Sequence, residues 1–277
     1  MSVSDVFAMD QQGPDIFRGP AIPSEMSRTF GGQVASQALC AAQRTVEGLV
    51  ANSLHGYFIA PGDSTEPIDF EVEHLRDGRS FATRQVRARQ GGTTIFVMDT
   101  SFHRVDDEGP GHQDPMPQVP GPEEVIHLHR ADPPSTRILM GEWNDWDIRL
   151  VPEADREPSR HEEREISGYR HIWFRNKGQL PKDLNFHQAA LTYMSDMTLI
   201  YSSLIPHPGV KVQLASLDHA VWFHRPLSVN DWLLYVQHSP SAGNGVALTR
   251  GTVFDINGRL VATVMQEGLT RTYRENK

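Results

Sequence analysis

Apolar positions gather in two parts of the chain, and both parts run through the same succession of periods. Residues 32–46 repeat at helical spacing, and so do residues 186–201. Each helical stretch leads into segments with the alternation or short apolar runs of strands. In the first half these are 54–60, 68–75, 80–90 and 94–103; in the second they are 212–224, 232–238, 245–255 and 260–270. A long helix followed by a strand meander, met twice, predicts an α+β protein whose sheet wraps the helix. At roughly 100° per residue, Ala190, Leu191, Met194, Met197 and Tyr201 form one stripe of the second helix, and Ala189, Tyr193 and Ile200 lie on the other side. A helix that is apolar nearly all round belongs inside the molecule.

Short landmarks repeat with almost the same offset. Phe58-Ile59-Ala60-Pro61 parallels Phe223-His224-Arg225-Pro226, 165 residues later, and the turn at Gly92 parallels Gly258, 166 residues later. Agreement between the two offsets points to duplication of a whole domain. Between the halves the character changes. Asp106-Asp107-Glu108-Gly109-Pro110 is followed by Pro115, Pro117, Pro120, Pro122 and Pro133-Pro134, with few periodic apolar runs. This stretch reads as an extended linker lying along a surface, with room for a short helix over 122–128. The expected division is an N-terminal unit over 1–104, a Pro-rich linker over 105–164 and a C-terminal unit over 165–277.

Composition narrows the classes. The 277 residues are 22% charged and 38% hydrophobic, which is globular, and they carry a net charge of −9. An acidic chain is a poor candidate for nucleic-acid binding. Cys40 is the single cysteine, so no intrachain disulfide can form; its apolar neighbours mark it as a small buried hydrophobe in a reducing compartment. No stretch reaches the ~18 apolar residues of a membrane span. Met1-Ser2-Val3-Ser4-Asp5 lacks the pattern of a signal peptide, and Arg274-Glu275-Asn276-Lys277 matches no retention or peroxisomal signal. The expectation is a cytoplasmic protein with no membrane or nucleic-acid partner.

Against this background three polar residues stand out. Asp196 shares the helix face of Ala189, Tyr193 and Ile200. An enclosed carboxylate needs hydrogen-bond partners, whether it serves chemistry or merely bonds a neighbour such as Ser195. Ser216 interrupts an apolar strand at Leu214-Ala215-Ser216-Leu217, as a reactive hydroxyl or a small tolerated residue would. By strand alternation, Gln266 shares a face with Leu260, Ala262 and Val264, whereas Glu267 points away. Its amide needs partners there, functional or structural.

Other chemistries are poorly supported. The 13 histidines form no metal-binding arrangement: His127 and His129 are two apart, and His219 and His224 five apart. Ser216, Asp218 and His219 are near neighbours on alternating faces and do not compose a triad, and no nucleophile-elbow motif occurs. No P-loop or dinucleotide fingerprint is present, so neither a metal nor a cofactor is expected. Gly31-Gly32 opens the first helix, where it leaves free N–H groups or simply starts the helix. Arg84, Arg87 and Arg89 could meet phosphates or form a solvated strand face.

Longer motifs carry a resemblance. Phe30-Gly31-Gly32-Gln33-Val34-Ala35-Ser36-Gln37-Ala38-Leu39 is similar to the opening helix motif of the acyl-CoA thioesterase II (TesB-like) family. Ser53-Leu54-His55-Gly56-Tyr57-Phe58 with Pro61-Gly62-Asp63 resembles its next segment, as does Leu75-Arg76-Asp77-Gly78-Arg79-Ser80-Phe81. Leu217-Asp218-His219-Ala220-Val221-Trp222-Phe223-His224-Arg225-Pro226, Gln266-Glu267-Gly268 and the link from His112-Gln113 to Met116-Pro117 complete it, so the resemblance covers almost the whole chain. It implies a double hotdog, two helix-wrapped antiparallel sheets fused in one chain, assembled as a homo-oligomer, dimer or tetramer. The implied activity is hydrolysis of fatty acyl-CoA to free acid and CoA. The implied catalytic trio is Asp196, Ser216 and Gln266, activating a water without an acyl-enzyme. One departure is Asn52, where the family often has a histidine; His55 remains. Two rivals stay open: a hotdog enoyl-CoA hydratase or dehydratase, which would want an Asp–His or Glu–His pair, and a non-catalytic acyl-CoA-binding protein.

Overall fold

A computed structural model describes residues 2–24, 26, 28–127, 143–152 and 168–273, with backbone alone at 126 and 127. A short helix α1 (Val3–Val6) and the hairpin β1 (Asp10–Gly13) and β2 (Ile16–Gly19) precede the first long helix, α2 (Gly31–Gln43). Strands β3 (Val50–Phe58), β4 (Ile68–Asp77), β5 (Phe81–Gln90) and β6 (Thr93–His103) follow. Next come β7 (Ile126–His127), β8 (Trp146–Leu150) and β9 (Arg170–Asn176), then the second long helix, α3 (Leu184–Thr198), and a 3₁₀ turn at Ile200–Leu204. Strands β10 (Val212–Ser216), β11 (Asp218–Phe223), β12 (Leu233–Gly243), β13 (Val246–Asp255) and β14 (Leu260–Thr272) complete the described chain.

One sheet runs β1-β2-β4-β5-β6-β3-β11-β14-β13-β12-β9-β8-β7, with β10 beside β14. Around the central β3–β11 pair the order is the same on both sides. β3 is followed outward by β6, β5, β4 and a preceding hairpin; β11 is followed by β14, β13, β12 and the preceding β9 and β8. This internal symmetry is what a duplicated helix-and-meander unit produces, and the turns at Gly92 (φ 82°) and Gly258 (φ 80°) adopt the same left-handed conformation in both halves. The architecture is the double hotdog, α+β. α2 lies against β3–β6, α3 lies against β3 and β11, and the two helices pack on each other. Their small faces (Ala35, Ala38, Ala41 and Ala42 on α2; Ala189 and Ala190 on α3) are fully buried, which permits that close approach.

The structure departs from the sequence reading at several points. Trp146–Leu150, inside the stretch read as linker, is a strand, with Trp146 and Ile148 fully buried. Residues 122–124 form a turn and 126–127 a short strand where a helix over 122–128 was expected; residue 128 lies outside the described residues. The described residues 105–121 are mostly exposed and touch the C-terminal strands. Gln113 bonds the Gly258 carbonyl (2.8 Å) and the Leu260 N–H (3.1 Å), and the Trp173 indole donates to the Pro120 carbonyl (2.9 Å). The run 212–224 is two strands, broken at Leu217, because β10 pairs with β14 alone whereas β11 also reaches across to β3. Arg84 faces inward, only 2% exposed. Its guanidinium donates to Thr45, the Arg76 and Thr83 carbonyls and Asp77, so it clamps the strand to the α2 exit and does not await a phosphate. Cys40 is only partly covered, yet its apolar surroundings push the thiol up to about 12, so it stays protonated.

Burial also holds several imidazoles below their ordinary pKa: His187, His219 and His224. His187 Nδ1 accepts from the Val229 N–H (3.3 Å), a bond that only the unprotonated nitrogen can make. As pH falls through about 6.5, the unfolded chain takes up protons that the folded chain refuses, so stability is full above that pH and declines below it. Thermal unfolding followed by circular dichroism is expected to give a lower Tm at pH 5.5 than at pH 7.5. The His187→Asn variant, whose amide oxygen can accept from Val229, is expected to narrow that gap. A Tm that rises in acid would refute this assignment.

Candidate active site

The site forms where the two long helices meet. α2 begins without a side-chain cap: Phe30 occupies the N-cap position and accepts nothing at its side chain, leaving first-turn amides in need of partners. One partner comes from the other half of the chain. Asp196, in the last turn of α3, accepts the Gly32 N–H at Oδ2 (2.8 Å) and so acts as a remote cap for α2. The position also favours its negative charge, because the N-terminal end of a helix is the positive end of its dipole. Glycine at 31 and 32 is required by this contact. A Cβ on Gly32 would lie 2.4 Å from the Tyr193 carbonyl, and one on Gly31 would lie 2.8 Å from Asp196 Oδ2 and 2.9 Å from the Phe58 ring.

The other carboxylate oxygen gathers the remaining residues. Asp196 Oδ1 accepts the Ser216 hydroxyl (3.3 Å) and an N–H of the Gln266 amide, and the same amide nitrogen donates to Ser216 Oγ (3.0 Å). The three side chains singled out in the sequence therefore form one hydrogen-bonded cluster. Asp196 is 6% exposed and Gln266 fully buried, while Ser216 is half-buried at the end of β10. The expected alternation on β14 holds: Ala262, Val264 and Gln266 face inward, and Glu267 is exposed.

The cluster opens on a cleft of about 630 Å³. Its wall is largely apolar (Phe30, Val34, Phe58, Ile95, Met197 and Leu214 among others), and Asp196, Ser216 and Gly31 also border it. Gln266 does not border the cleft; it lies behind Asp196 and Ser216, with both of its N–H bonds directed at them and at His219. Tyr201, half-exposed, stands at the rim; burial, then the Asp196 charge, pushes its phenol above the ordinary value. His55 is exposed on the outer face of the sheet, edge-on to Trp222, and has no part in the cluster.

His219 was weighed in the sequence only as a metal ligand or triad member, not as a neighbour of Asp196 and Gln266. It is fully buried, 3.9 Å from Asp196 Oδ1 through Nδ1, with Nε2 2.8 Å from Ser195 Oγ. The signal that could have found it is the inward face of β11, which carries His219, Val221 and Phe223. An Asp–His pair is what a hydratase would need, but this imidazole does not border the cleft and cannot reach a substrate there. Among the described residues no cluster of three His, Cys, Asp or Glu side chains could hold a metal ion.

The fold is a hotdog sheet, and its site sets a buried carboxylate, itself the cap of the opposite helix, at the edge of a largely apolar cleft. Comparison with known proteins takes this further. The family model for acyl-CoA thioesterase matches residues 145–269, and that for the acyl-CoA thioesterase N-terminal domain matches residues 22–103. Acyl-CoA thioesterase 2 of Haemophilus influenzae is 36% identical over 268 residues, covering 92% of each chain. Human acyl-coenzyme A thioesterase 8 is 33% identical over 287 residues, covering 97% of this chain and 88% of that one. The crystal structure of acyl-CoA thioesterase II TesB2 from Mycobacterium marinum superposes with a TM-score of 0.86 at 42% identity, covering 98% of this chain and 99% of that one. The chain belongs to the acyl-CoA thioesterase family.

The two glycines separate a folding cost from a functional one. Gly32→Ala drives a methyl into backbone and is expected to destabilise by about 1–3 kcal/mol or more, visible as a lower Tm. Gly31→Ala meets only side-chain ends and is expected to keep the fold while losing thioesterase turnover, because the carboxylate must move. Full turnover in folded Gly31→Ala would show that the Asp196 position is not critical.

Proposed function

We propose that this thioester hydrolase cleaves fatty acyl-CoA to free acid and CoA by direct attack of water, with Asp196 as general base. The observation that carries the reading is a carboxylate and a hydroxyl, 3.3 Å apart, bordering a largely apolar cleft. The acyl chain lies along the apolar wall, and the thioester carbon comes to rest over Asp196 and Ser216. A water bonded to both gives its proton to Asp196 as its oxygen attacks the carbonyl carbon. General-base assistance of this kind contributes about 10²–10⁴-fold. The tetrahedral oxyanion is met by the first-turn amide of α2 at Gly31, next to the Gly32 amide that Asp196 holds. Collapse expels CoA thiolate, a leaving group that needs little acid help.

Gln266, which in the sequence reading would hold the water together with Ser216, is given a supporting part in this proposal. With its nitrogen behind the carboxylate and the hydroxyl, it holds those two oxygens in register and does not hold the water itself. One site per chain is proposed, because α2 carries no acidic residue at all between 31 and 43. The division into an N-terminal hotdog unit (1–104), linker (105–164) and C-terminal unit (165–277) is retained as a proposal, with β8, inside the linker, pairing with β9 of the C-terminal unit. Assembly into a homodimer or tetramer is proposed as well; the exposed Tyr57 beside His55 and Trp222 on the outer sheet face suits it.

Asp196→Asn is expected to fold and to lose about 10²–10⁴-fold in kcat, measured as thiol release from long-chain acyl-CoA. Single-turnover hydrolysis in ¹⁸O-water is expected to label the acid in its first turnover; an unlabelled first product would mean that an oxygen of the Asp196 carboxylate attacked instead. Leu214→Trp, which fills the cleft, is expected to lower kcat/KM for long acyl chains more than for short ones. An equal loss across chain lengths would move the acyl site elsewhere.

A further inference from the structure

The cluster contains a direction that follows from counting hydrogens. Asp196 Oδ1 is an acceptor, so the Gln266 atom against it is the nitrogen. That nitrogen also faces His219 Nδ1 (3.3 Å); with two hydrogens for three acceptors, it shares one between Ser216 Oγ and Nδ1, so Nδ1 accepts. The imidazole proton is therefore on Nε2, where it meets Ser195 Oγ (2.8 Å). Ser195 can accept it because its own hydrogen goes to the Thr192 carbonyl (2.9 Å). Every link agrees with the next: backbone of α3, Ser195, His219, Gln266, carboxylate. Ser195 is further fixed by Tyr235, whose phenol donates to the Ser195 carbonyl (3.0 Å). All four of Ser195, His219, Gln266 and Tyr235 are at most 1% exposed.

We propose that His219 is a positioning residue for the reaction: its neutral ring accepts from Gln266 and keeps the amide nitrogen, not the amide oxygen, against Asp196 and Ser216. Without that acceptor the amide nitrogen keeps only Asp196 and Ser216 as partners, and the amide turns over more readily. Its oxygen would then face the Asp196 carboxylate, acceptor against acceptor, and the carboxylate and hydroxyl would lose their shared donor. The inference rests on the Asp196–Ser216–Gln266 mechanism proposed above and adds the device that sets the amide's orientation. Burial, the larger influence on His219, holds its pKa below the ordinary imidazole value against the pull of Asp196 and Asp218, so the neutral form required here is the one present at neutral pH. His219 does not border the cleft, so it acts on turnover and not on substrate binding.

The test is a double-mutant cycle on the full chain, with kcat and KM for a long-chain acyl-CoA measured in His219→Leu, His219→Asn, Gln266→Ala and the Leu/Ala double variant. His219→Leu is expected to lower kcat about tenfold, the scale of one lost orienting hydrogen bond, with KM unchanged. His219→Asn, whose amide oxygen can stand where Nδ1 stood, is expected to recover most of that loss. The double variant is expected to be no slower than Gln266→Ala alone, because the effect of His219 passes through Gln266. Losses that add in full, or an Asn variant as slow as the Leu variant, would overturn the role of His219 and leave the Asp196 mechanism standing. If Gln266→Ala turns over normally, the mechanism and this inference fall together. Should His219→Leu not fold, the ¹⁵N signals of the His219 ring in the unaltered protein decide: a proton on Nε2 supports the assignment, and a proton on Nδ1 overturns it.

Discussion

A carboxylate enclosed between two helices is the constraint from which the rest of this molecule follows. Asp196 is nearly buried, and a buried charge without partners would be costly. Its partners come from every direction: the α2 amide at Gly32, the hydroxyl of Ser216 at the end of β10, and the amide of Gln266 on β14. Satisfying one side chain therefore fixes the relative placement of the N-terminal helix, the C-terminal helix and two strands. It explains the paired glycines, since no larger residue lets α2 come so close, and it explains why α2 carries no capping side chain of its own. The two halves of the duplication are thus joined by the site as well as by the central β3–β11 pair.

Duplication followed by divergence accounts for the asymmetry between the halves. Both contain the same strand order around the middle of the sheet. Only the second helix carries an acid, and only the second half has the extra strand β10, which detaches from β11 at Leu217 and brings Ser216 to the cleft. The first half contributes the amide terminus and much of the apolar wall, including Phe30, Val34, Phe58 and Ile95. In the proposed mechanism one half supplies the chemistry and the other the electrostatic seat and the walls.

Much of this was legible in the sequence, for physical reasons that differ from residue to residue. Asp196 was visible because an acid amid an all-round apolar helix must be partnered, and Gln266 because strict alternation on β14 turns it inward. Ser216 was not visible by itself, since a small hydroxyl in a strand is commonplace; the family motif picked it out. The break at Leu217 was hidden because an apolar run looks the same whether it pairs on one side or two. Arg84 misled because its partners Thr45 and Asp77 become neighbours only when α2 and β4 fold onto β5. β8 was masked by the prolines and acids around it, although Trp146, Ile148 and Leu150 alternate as a strand should. His219 was set aside correctly as a triad member, but its role inside the cluster depends on Ser195 and Gln266, 24 and 47 residues away.

The central claim is that Asp196 and Ser216 face the scissile bond with a water between them. A crystal structure of the protein with a long-chain 2-oxoalkyl-CoA, a non-hydrolysable ketone in which a methylene separates the sulfur from the carbonyl, tests it most directly. The account predicts the acyl chain in the apolar cleft, the carbonyl oxygen toward the Gly31 amide, and an ordered water touching both Asp196 and Ser216 within reach of the carbonyl carbon. Density that seats the acyl group elsewhere, or that leaves Asp196 out of reach of the thioester, would contradict it.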